Sequence, residues 1–390
     1  MQAVAAPWLV LQLTGSGLAL GIDTGLQFLP ILLFGAWGGL IADRFDNRRV
    51  QLYGQLAFAV PAFALWILDA TGVVRVWMVY LLSFVSGCVM AVDMPTRQSF
   101  YLEMVGPEDL TNAMSLTTAS FTGMRMIGAV IGGILIGLVG TAPVFLINGL
   151  SYLAVVGALL AMHVADLHPR ERVARASGQI RAGIRYTWRE IDLRLPMLTM
   201  AVVFLLSFNF MVLLPLFAVR DLSGNAATMG WLWAAWGIGS LAGALYLASR
   251  TTRPNPRRLA LLAVAVGALS IALAGAPTFP VAWVLLLPLG FATIAFAITG
   301  NSTLQLTTAP EFRGRVMALY TLVFLGSTPI GAFLAGWVAQ DFDARTGFAA
   351  GGLVAVATGV CALTALARRS GSGEPAAVPS RALVDEGSLD

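Results

Sequence analysis

Charged residues are scarce in this chain of 390 residues, and they make up only 11% of it. That share is about half of what is usual in soluble proteins. Hydrophobic residues make up 58% instead, which is more apolar surface than a soluble protein of this length can bury away from water. The composition therefore excludes an ordinary soluble protein and indicates one that lies in a membrane.

Residue types that support enzyme and metal chemistry are also few. The two histidines, His163 and His168, lie at a predicted helix end and in a loop, without partners at the spacing of metal ligands. The two cysteines, Cys88 and Cys361, both fall in apolar runs, which argues against a disulfide framework. We therefore predict that the protein is not an enzyme and holds no metal or other cofactor.

Lysine is absent, so the basic excess consists of 24 arginines against 20 acidic residues. Because the pI is near 9.4, a nucleic-acid partner has to be considered. The arginines are spread over short segments between apolar runs, however, and form no single basic stripe. We predict that the protein binds no nucleic acid.

Long apolar runs are what the sequence has in abundance. A membrane span needs about 20 mainly apolar residues, and eleven runs qualify as candidates. A twelfth run, over residues 2–13, is only about half of that length. The candidate spans lie near residues 18–42, 50–68, 76–94, 112–138, 143–164, 195–217, 227–248, 259–276, 280–300, 314–340 and 347–367. The pattern predicts an all-α protein embedded in the lipid bilayer.

The arginines are distributed unevenly between the two sides of these spans. Only Arg75, Arg220 and Arg345 lie in segments on one side, and Arg125 lies inside a span. The other 20 of the 24 arginines follow alternate spans and so lie on the opposite side. Since positively charged loops are retained in the cytoplasm, we predict that the arginine-rich side, including the C-terminus, is cytoplasmic.

An internal repeat divides the chain into two halves. A shift of 203 positions places Pro107-Glu108 on Pro310-Glu311 and Gly128-Ala129 on Gly331-Ala332. Some secondary transporters contain such a repeat, in which two halves have the same orientation and are related by an axis along the membrane normal.

The repeat and the charge pattern together predict four regions. Residues 1–164 form an N-terminal transmembrane half, residues 165–194 a basic linker, residues 195–367 a C-terminal transmembrane half and residues 368–390 a disordered tail. Ile180, Ile184 and Trp188 recur at helical spacing in the linker, which has seven arginines. The linker is therefore either a basic amphipathic helix on the inner leaflet or a solvated connection.

A short loop between two spans resembles a known transporter motif. Residues 38–49 read Gly-Gly-Leu-Ile-Ala-Asp-Arg-Phe-Asp-Asn-Arg-Arg. They resemble the loop between helices 2 and 3 of the major facilitator superfamily, whose pattern is Gly-x-x-x-Asp-Arg-x-Gly-Arg-Arg. Gly39, Asp43, Arg44 and Arg48 match, whereas Asp46 replaces a glycine and Asn47 an arginine. The variant is similar to the branch that contains the enterobactin exporter and related drug exporters.

The resemblance implies a gate at the cytoplasmic side. Asp43 ends the second helix, where its carboxylate can face the N-terminus of a neighbouring helix and interact with the helix dipole. In the family this loop contacts helix 11, and the resemblance pairs Asp43 with that helix and with Arg97. The alternative is that these charges only orient the chain in the membrane. The implied gating residues are Gly39, Asp43, Arg44, Arg48, Arg49, Asp93, Arg97, Arg313 and Arg315.

The stretch Asp93-Met-Pro95-Thr-Arg97-Gln98 is similar to the Asp-x-Pro-x-Arg-Gln stretch of the same exporters. Pro95 has no N–H group, so we predict that it ends the fourth helix and leaves Asp93 and Arg97 near the inner gate. A gating role is favoured over substrate contact.

Glycines of the fifth span are similar to an antiporter signature of exporters, Gly-Pro-x-x-Gly-Gly. Gly128, Gly132 and Gly133 match in part, whereas Ala129 replaces the proline. The glycines predict close packing of this helix against the other half. Arg125 lies about eleven residues inside the same span, where it binds either an anionic substrate or a structural partner.

Other polar residues inside the spans are candidates for the substrate or proton site. A desolvated Asp23 carboxyl group can carry a proton, and the alternative is that it is hydrated in an outer vestibule. Isolated amides in membrane helices more often bond neighbouring helices than bind ligands. The amide candidates are Gln27, Asn148, Asn209 and, more weakly, Asn301.

The resemblance implies a major facilitator fold with two six-helix halves and a partial first helix, of which residues 2–13 are the outer half. We expect a monomer in the bacterial inner membrane that exports a small organic molecule, a drug-like compound or a siderophore, in exchange for protons. The alternatives are an importer or facilitator of the same fold and a truncated, non-transporting membrane protein.

Overall fold

The computed structural model describes residues 1–164, 184–188, 190–249 and 255–371. Within its helices some side chains lie outside the described part, among them those of Arg125 and Glu311. The described residues are almost entirely helical, and they include no β-strand.

Five helices form the N-terminal half of the chain. They are α1 (Gln2–Thr14), α2 (Gly17–Arg44), α3 (Asn47–Ala70), α4 (Val76–Val139) and α5 (Ala142–Ala161). Side chains set two of the boundaries. Ser16 accepts a hydrogen bond from the Ala19 N–H at 3.1 Å, and Asp46 accepts one from the Arg49 N–H at 3.0 Å, so both act as N-caps.

Seven helices form the C-terminal half. They are α6 (Ile191–Leu206), α7 (Phe210–Leu216), α8 (Ala226–Ala248), α9 (Pro256–Ala274), α10 (Phe279–Thr307), α11 (Pro310–Asp341) and α12 (Ala344–Gly371). A π-helical turn over Phe217–Asp221 continues α7. Residues 184–188 form one further helical turn before α6.

The prediction of an all-α membrane protein is confirmed. Among the described residues, 10 helices are long and apolar enough to cross a membrane, and α6 and α7 together make one of them. Two shorter apolar stretches, Val4–Thr14 and Ile127–Val139, correspond to the incomplete first run and to the fifth predicted span.

The prediction that Pro95 ends the fourth span is wrong. The helix continues through Pro95 to Gly106, where φ is 73° and ψ is 175°, and then resumes to Val139. This backbone conformation is accessible essentially to glycine alone. A proline removes one helical hydrogen bond and causes a local clash. The packing of α4 against α2 and α3 offsets that cost. The chain therefore turns at Gly106 without a loop.

Several other boundaries differ from the predictions by a few residues. Helix α6 begins at Ile191, α10 extends to Thr307, and α12 extends to Gly371. Ile180 of the predicted linker helix lies outside the described residues, as does the tail after residue 371. Ile184 and Trp188 are exposed, with 42% and 55% of their surface accessible.

The internal repeat has a structural counterpart in two equivalent helix crossings. Helix α2 packs against α4 in the first half, and α8 packs against α10 in the second. A Cβ atom on Gly87 would overlap the carbonyl oxygen of Gln27, and one on Gly290 would overlap that of Trp236. Gly87 and Gly290 are 203 positions apart, which is the offset read from the sequence, whereas their partners Gln27 and Trp236 are 209 positions apart.

The two halves meet through α2 and α11 and through α4 and α8. A Cβ atom on Gly21 would lie 2.5 Å from the Ala332 carbonyl oxygen, and one on Gly133 would lie 2.6 Å from that of Ala226. All four residues lie in the half of the bundle towards the turn between α1 and α2. We call this the far end, and the end that holds the turn between α2 and α3 the motif end.

Candidate functional site

The arginines after α2 close helix ends at the motif end. Arg48 donates from Nε to the Leu159 carbonyl at 2.9 Å and from Nη2 to the Leu160 carbonyl at 3.3 Å. These carbonyls belong to the last turn of α5, which lacks intrahelical partners for them. Arg48 therefore ties the start of α3 to the end of α5.

Asn47, which stands where the family motif has an arginine, bonds an acid of α4. Its Nδ2 donates to Glu103 Oε1 at 2.6 Å, and the residue is 4% exposed. Gln51 and Gln55 extend this polar row along α3, one and two turns further into the bundle. Sequence reasoning did not single out Asn47, Glu103 or the two glutamines, although a row of amides at a spacing of four is visible in α3.

Asp93 lies at the centre of a buried network between α3 and α4. Its carboxylate forms an ion pair with Arg97 one turn later and accepts a hydrogen bond from Gln55 Nε2 at 3.1 Å. Gln51 Nε2 donates to the Asp93 backbone carbonyl at 3.1 Å. The carboxylate is fully buried, whereas 38% of the Arg97 side chain is exposed. A buried charge needs such partners, since leaving one unpaired is costly.

The other motif residues lie at the surface of the motif end. Asp43 is half-buried, and Arg44 and Arg49 are exposed. Arg49 contacts Asp46 at 3.8 Å on the surface. Helices α2 and α4 approach each other closely at Gly38, where a Cβ atom would overlap the carbonyl oxygen of Ala91 in α4. The predicted pairing of Asp43 with helix 11 and Arg97 stays a prediction.

The start of α11 interacts with the turn before α6. The rings of Tyr186 and Phe312 stack at 4.2 Å with an angle of 3°, and the Tyr186 hydroxyl accepts from the Ala309 N–H at 3.4 Å. Arg315 lies over the other ring of this pair, Phe312, at 5.1 Å. Arg313 donates from Nε to the Gln305 carbonyl at 3.1 Å. Arg313 thus joins the start of α11 to the end of α10, and Arg315 contacts a ring within α11.

Asp23 is buried inside the bundle. It is 4% exposed, and its Oδ1 accepts a hydrogen bond from Ser83 Oγ at 2.7 Å. Ser83 lies on α4, so the contact joins α2 and α4 towards the far end. Asp23 is thus a carboxyl group within a membrane-spanning helix.

The amide candidates bond neighbouring groups. Asn148 donates to Gln2 Oε1 at 2.5 Å, which joins α5 to α1. Asn209 donates to the Leu205 carbonyl at 2.9 Å and lies at the interruption between α6 and α7. Asn301 accepts from Gln305 at 2.7 Å. Gln27 is half-buried on α2.

The glycines of the predicted packing signature divide between two neighbours. Gly133 lies against Ala226 and Gly230 of α8, in the other half. Gly128 and Gly132 lie against Met1. A Cβ atom on Gly128 would lie 3.2 Å from the Met1 nitrogen, and one on Gly132 would lie 3.3 Å from the Met1 Cα. The side chain of Arg125 lies outside the described residues, so its role stays a prediction.

Polar contacts at the far end cross between the halves, and sequence reasoning missed them. Arg220 donates to the Gly15 carbonyl of the first half and, at 3.1 Å, to the Ala339 carbonyl of the second. The Gly17 N–H donates to Gln340 Oε1 at 2.8 Å. These contacts and the glycine crossings close the bundle at its far end.

Comparisons with known proteins agree with this architecture. The model of the family described as "Transmembrane secretion effector" matches residues 1–383. The multidrug efflux pump Tap of Mycolicibacterium fortuitum is 27% identical over 372 residues, which cover 92% of this chain and 90% of the pump. The staphyloferrin A transporter of Staphylococcus aureus is 23% identical over 241 residues, 62% of this chain and 60% of that protein.

A solved structure shows the same fold. The nucleoside transporter NupG superposes with a TM-score of 0.69 at 13% sequence identity, covering 94% of each chain. The family match covers nearly the whole chain, from the start of α1 beyond the end of α12. The chain therefore belongs to the transmembrane secretion effector family of major facilitator transporters.

Proposed function

We propose that this transporter exports a small organic molecule, a drug-like compound or a siderophore, in exchange for protons. Two relatives support this cargo class, since one is named a multidrug efflux pump and the other a siderophore transporter. The halves alternate access to a central site by rocking against each other.

The orientation follows from the arginines. The motif end holds Arg44, Arg48, Arg49 and Arg97, whereas the far end holds Arg75, Arg220 and Arg345. Further described arginines at the motif end are Arg185, Arg194, Arg257, Arg258, Arg313, Arg315 and Arg368. The positive-inside rule supports a cytoplasmic location for that end and for the C-terminus. A bundle that is closed at its far end then receives its cargo from the cytoplasm.

The observation that carries proton coupling is the buried Asp23 with its Ser83 partner. A carboxyl group in this position has to be neutralised by a proton or by a charged partner, because burying an isolated charge costs many kcal/mol. Among the described side chains the partner of Asp23 is Ser83, whose hydroxyl is neutral, so a proton is the neutralising group that these residues support. Binding the proton when the far end opens and releasing it when the motif end opens couples proton entry to export.

Asp43 and the Asp93 network supply the gate at the motif end. Asp93, Arg97 and Gln55 hold α3 and α4 together, and Arg48 adds α5 to the same unit. Asp43 ends α2 beside this unit, so it is placed to contact α11 when the motif end closes. Opening and closing then moves one preassembled surface of the first half against the second.

The test is transport by the purified full chain in proteoliposomes with an imposed pH gradient. Wild-type protein is expected to move a fluorescent dye, ethidium, against its gradient. Protons move the other way, so the compartment that the dye leaves is expected to become more acidic. The Asp23→Asn variant is expected to lose the dependence on the pH gradient. Asp69→Asn is a matched control, because Asp69 bonds Thr141 at the far end and not within the bundle.

The outcomes separate the alternatives. Gradient-driven accumulation of dye by Asp23→Asn would show that the coupling carboxyl group lies elsewhere. Equal dye movement in both directions without a gradient would identify a facilitator. Uptake towards the motif end would identify an importer.

A further inference from the structure

Five aromatic rings meet where three helices of the C-terminal half cross. We call them the aromatic cluster: Phe204 and Phe208, Phe296, and Tyr320 and Phe324. Phe204 is at the centre, with its ring edge-on to Phe324 at 4.8 Å and 73° and to Phe296 at 5.7 Å and 79°. Tyr320 and Phe324 lie parallel, 6.0 Å apart at an angle of 5°.

The cluster lies near the middle of its helices, at the depth where α6 and α7 are interrupted. The interruption spans residues 207–209, and its polar side chains donate hydrogen bonds to backbone carbonyls of neighbouring helices. Ser207 Oγ donates to the Gly351 carbonyl at 2.6 Å, and Asn209 Nδ2 donates to the Leu205 carbonyl at 2.9 Å. Interrupted helices at mid-membrane depth occur in transporters where they border a central cavity.

Phe324 is the most exposed ring of the cluster, with 37% of its surface accessible. Its position on α11 decides which surroundings it faces. Phe333 follows nine residues later, which places it about 180° around the helix. Phe333 is 48% exposed, and its neighbours on that face, Ile330 and Trp337, are 54% and 48% exposed. A face of large exposed apolar side chains is the one that faces lipid.

The face that holds Phe324 has a different composition. Thr321 and Thr328 lie on the same side of it, about 60° and 40° away around the helix, and Thr321 is exposed. The packing contacts of α11 with α2 lie about 80° to 200° around the helix from Phe324, through Ala332, Pro329 and Gly326. The two threonines therefore lie between Phe324 and the helix of the other half, which places that side of Phe324 towards the space between the halves.

Polar groups border the cluster on the side of the motif end. Asn301 lies near the Tyr320 hydroxyl and accepts a hydrogen bond from Gln305, whose side chain is exposed. Binding sites for small molecules commonly combine an apolar aromatic wall with a few polar groups that fix orientation. The aromatic cluster with its amides and threonines has this composition.

We infer that Phe324, supported by Phe204 and Tyr320, binds a planar aromatic ring of the cargo. The inference rests on the proposed function and names its cargo class. Aromatic rings pair in stacked or edge-to-face geometry and gain attraction beyond their apolar burial. Phe204 fixes the ring of Phe324 from the side, so the exposed face of Phe324 is held ready for a second ring.

The first test determines which surroundings Phe324 faces. Thr321→Cys and Phe333→Cys are each made in a background with Cys88→Ser and Cys361→Ser, and both variants are treated with a hydrophilic maleimide in proteoliposomes. Thr321→Cys is expected to react and Phe333→Cys to stay unlabelled. If Thr321→Cys does not react faster than Phe333→Cys, Phe324 faces lipid and the inference is overturned.

The second test measures binding of three planar aromatic dyes, ethidium, acriflavine and rhodamine 6G, to the purified chain by fluorescence anisotropy. Phe324→Leu keeps an apolar side chain and removes the ring, so it is expected to raise the Kd of a bound dye roughly three- to tenfold. Phe324→Tyr keeps the ring and is expected to bind as the wild type does. Phe333→Leu, on the lipid face, is the matched control.

Two results would overturn the inference: an unchanged Kd for Phe324→Leu, or wild-type protein that binds none of the three dyes. Failure of the proposed function has a different signature, measured with the non-aromatic cation tetrabutylammonium. If wild-type protein and Phe324→Leu export it equally under a pH gradient while dye binding is also equal, export stands and the aromatic site is wrong. If Phe324→Leu weakens dye binding but no compound is moved, the aromatic site stands and export is wrong.

Discussion

Arg220 and Gly15 are 205 positions apart in the sequence, and a hydrogen bond from the Arg220 guanidinium to the Gly15 carbonyl joins the two halves at the far end. The same guanidinium donates to Ala339 of α11. One side chain thus bonds the turn before α2 and the last turns of α11, next to the crossing of those two helices.

Replacing Arg220 is expected to favour opening at the far end. Arg220→Gln removes a charged donor from two carbonyls at an exposed site, which we expect to cost the closed form about 1 kcal/mol, or roughly a fivefold shift. The measurement is maleimide labelling of Ala226→Cys, which is 1% exposed at the α8 crossing. The control is Arg75→Gln, which changes another far-end arginine. Labelling that stays as slow as in the parent protein would contradict a role in closure.

Gly21 is expected to tolerate no larger side chain. Gly21→Val places a Cβ atom 2.5 Å from the Ala332 carbonyl, and backbone cannot move aside as a flexible side chain does. The clash is expected to cost about 1–3 kcal/mol of far-end closure and to lower transport. Gly35→Val is the control on the same helix, since the nearest atom outside the local helix backbone is in the Ile31 side chain, 4.0 Å from its Cβ position. Equal transport by the two variants would show that the crossing is not needed.

The Asp93 network is expected to stabilise the fold of the first half. Asp93→Ala leaves Arg97 and Gln55 without their acceptor; because 38% of the Arg97 side chain is exposed and can be hydrated, we expect a cost of about 1–3 kcal/mol. The thermal unfolding midpoint in detergent is expected to fall. A double variant, Asp93→Ala with Arg97→Met, is expected to recover part of that loss, because no unpaired charge remains. Additive losses would mean that the pair is not coupled.

Asp43 is expected to affect turnover and not folding. Asp43→Asn keeps the size of the side chain and removes the charge that would interact with the start of α11 when the motif end closes. We expect transport to fall severalfold while the unfolding midpoint is unchanged. Asp46→Asn is the matched control, because asparagine caps a helix as well as aspartate does. Normal transport by correctly inserted Asp43→Asn would show that the charge is dispensable.

Most of the spans were predictable from the sequence because each is a mainly apolar run of sufficient length. The end of the fourth span was not, since a proline at position 95 normally predicts a helix boundary and the real turn is made by Gly106. The pair Asp93–Arg97 is readable at a spacing of four, as on any helix.

Partners from distant parts of the chain could not be read in this way. Arg220 looks like an isolated far-end arginine, and only the packing of α2 on α11 brings Gly15 to it. Phe204, Phe296 and Phe324 are ordinary apolar residues in three separate spans. Their meeting depends on how the helices cross, which a single sequence with no alignment does not specify.

The turn at Gly106 divides α4 into two helical parts. Residues 76–106 include Ser83 and Asp93, residues 107–139 include Gly133, and no loop separates the two parts. We therefore expect that a rotation of residues 107–139 against α8 would displace the part of α4 that bonds Asp23 and the amides of α3. Gly106 is the residue at which these two parts meet.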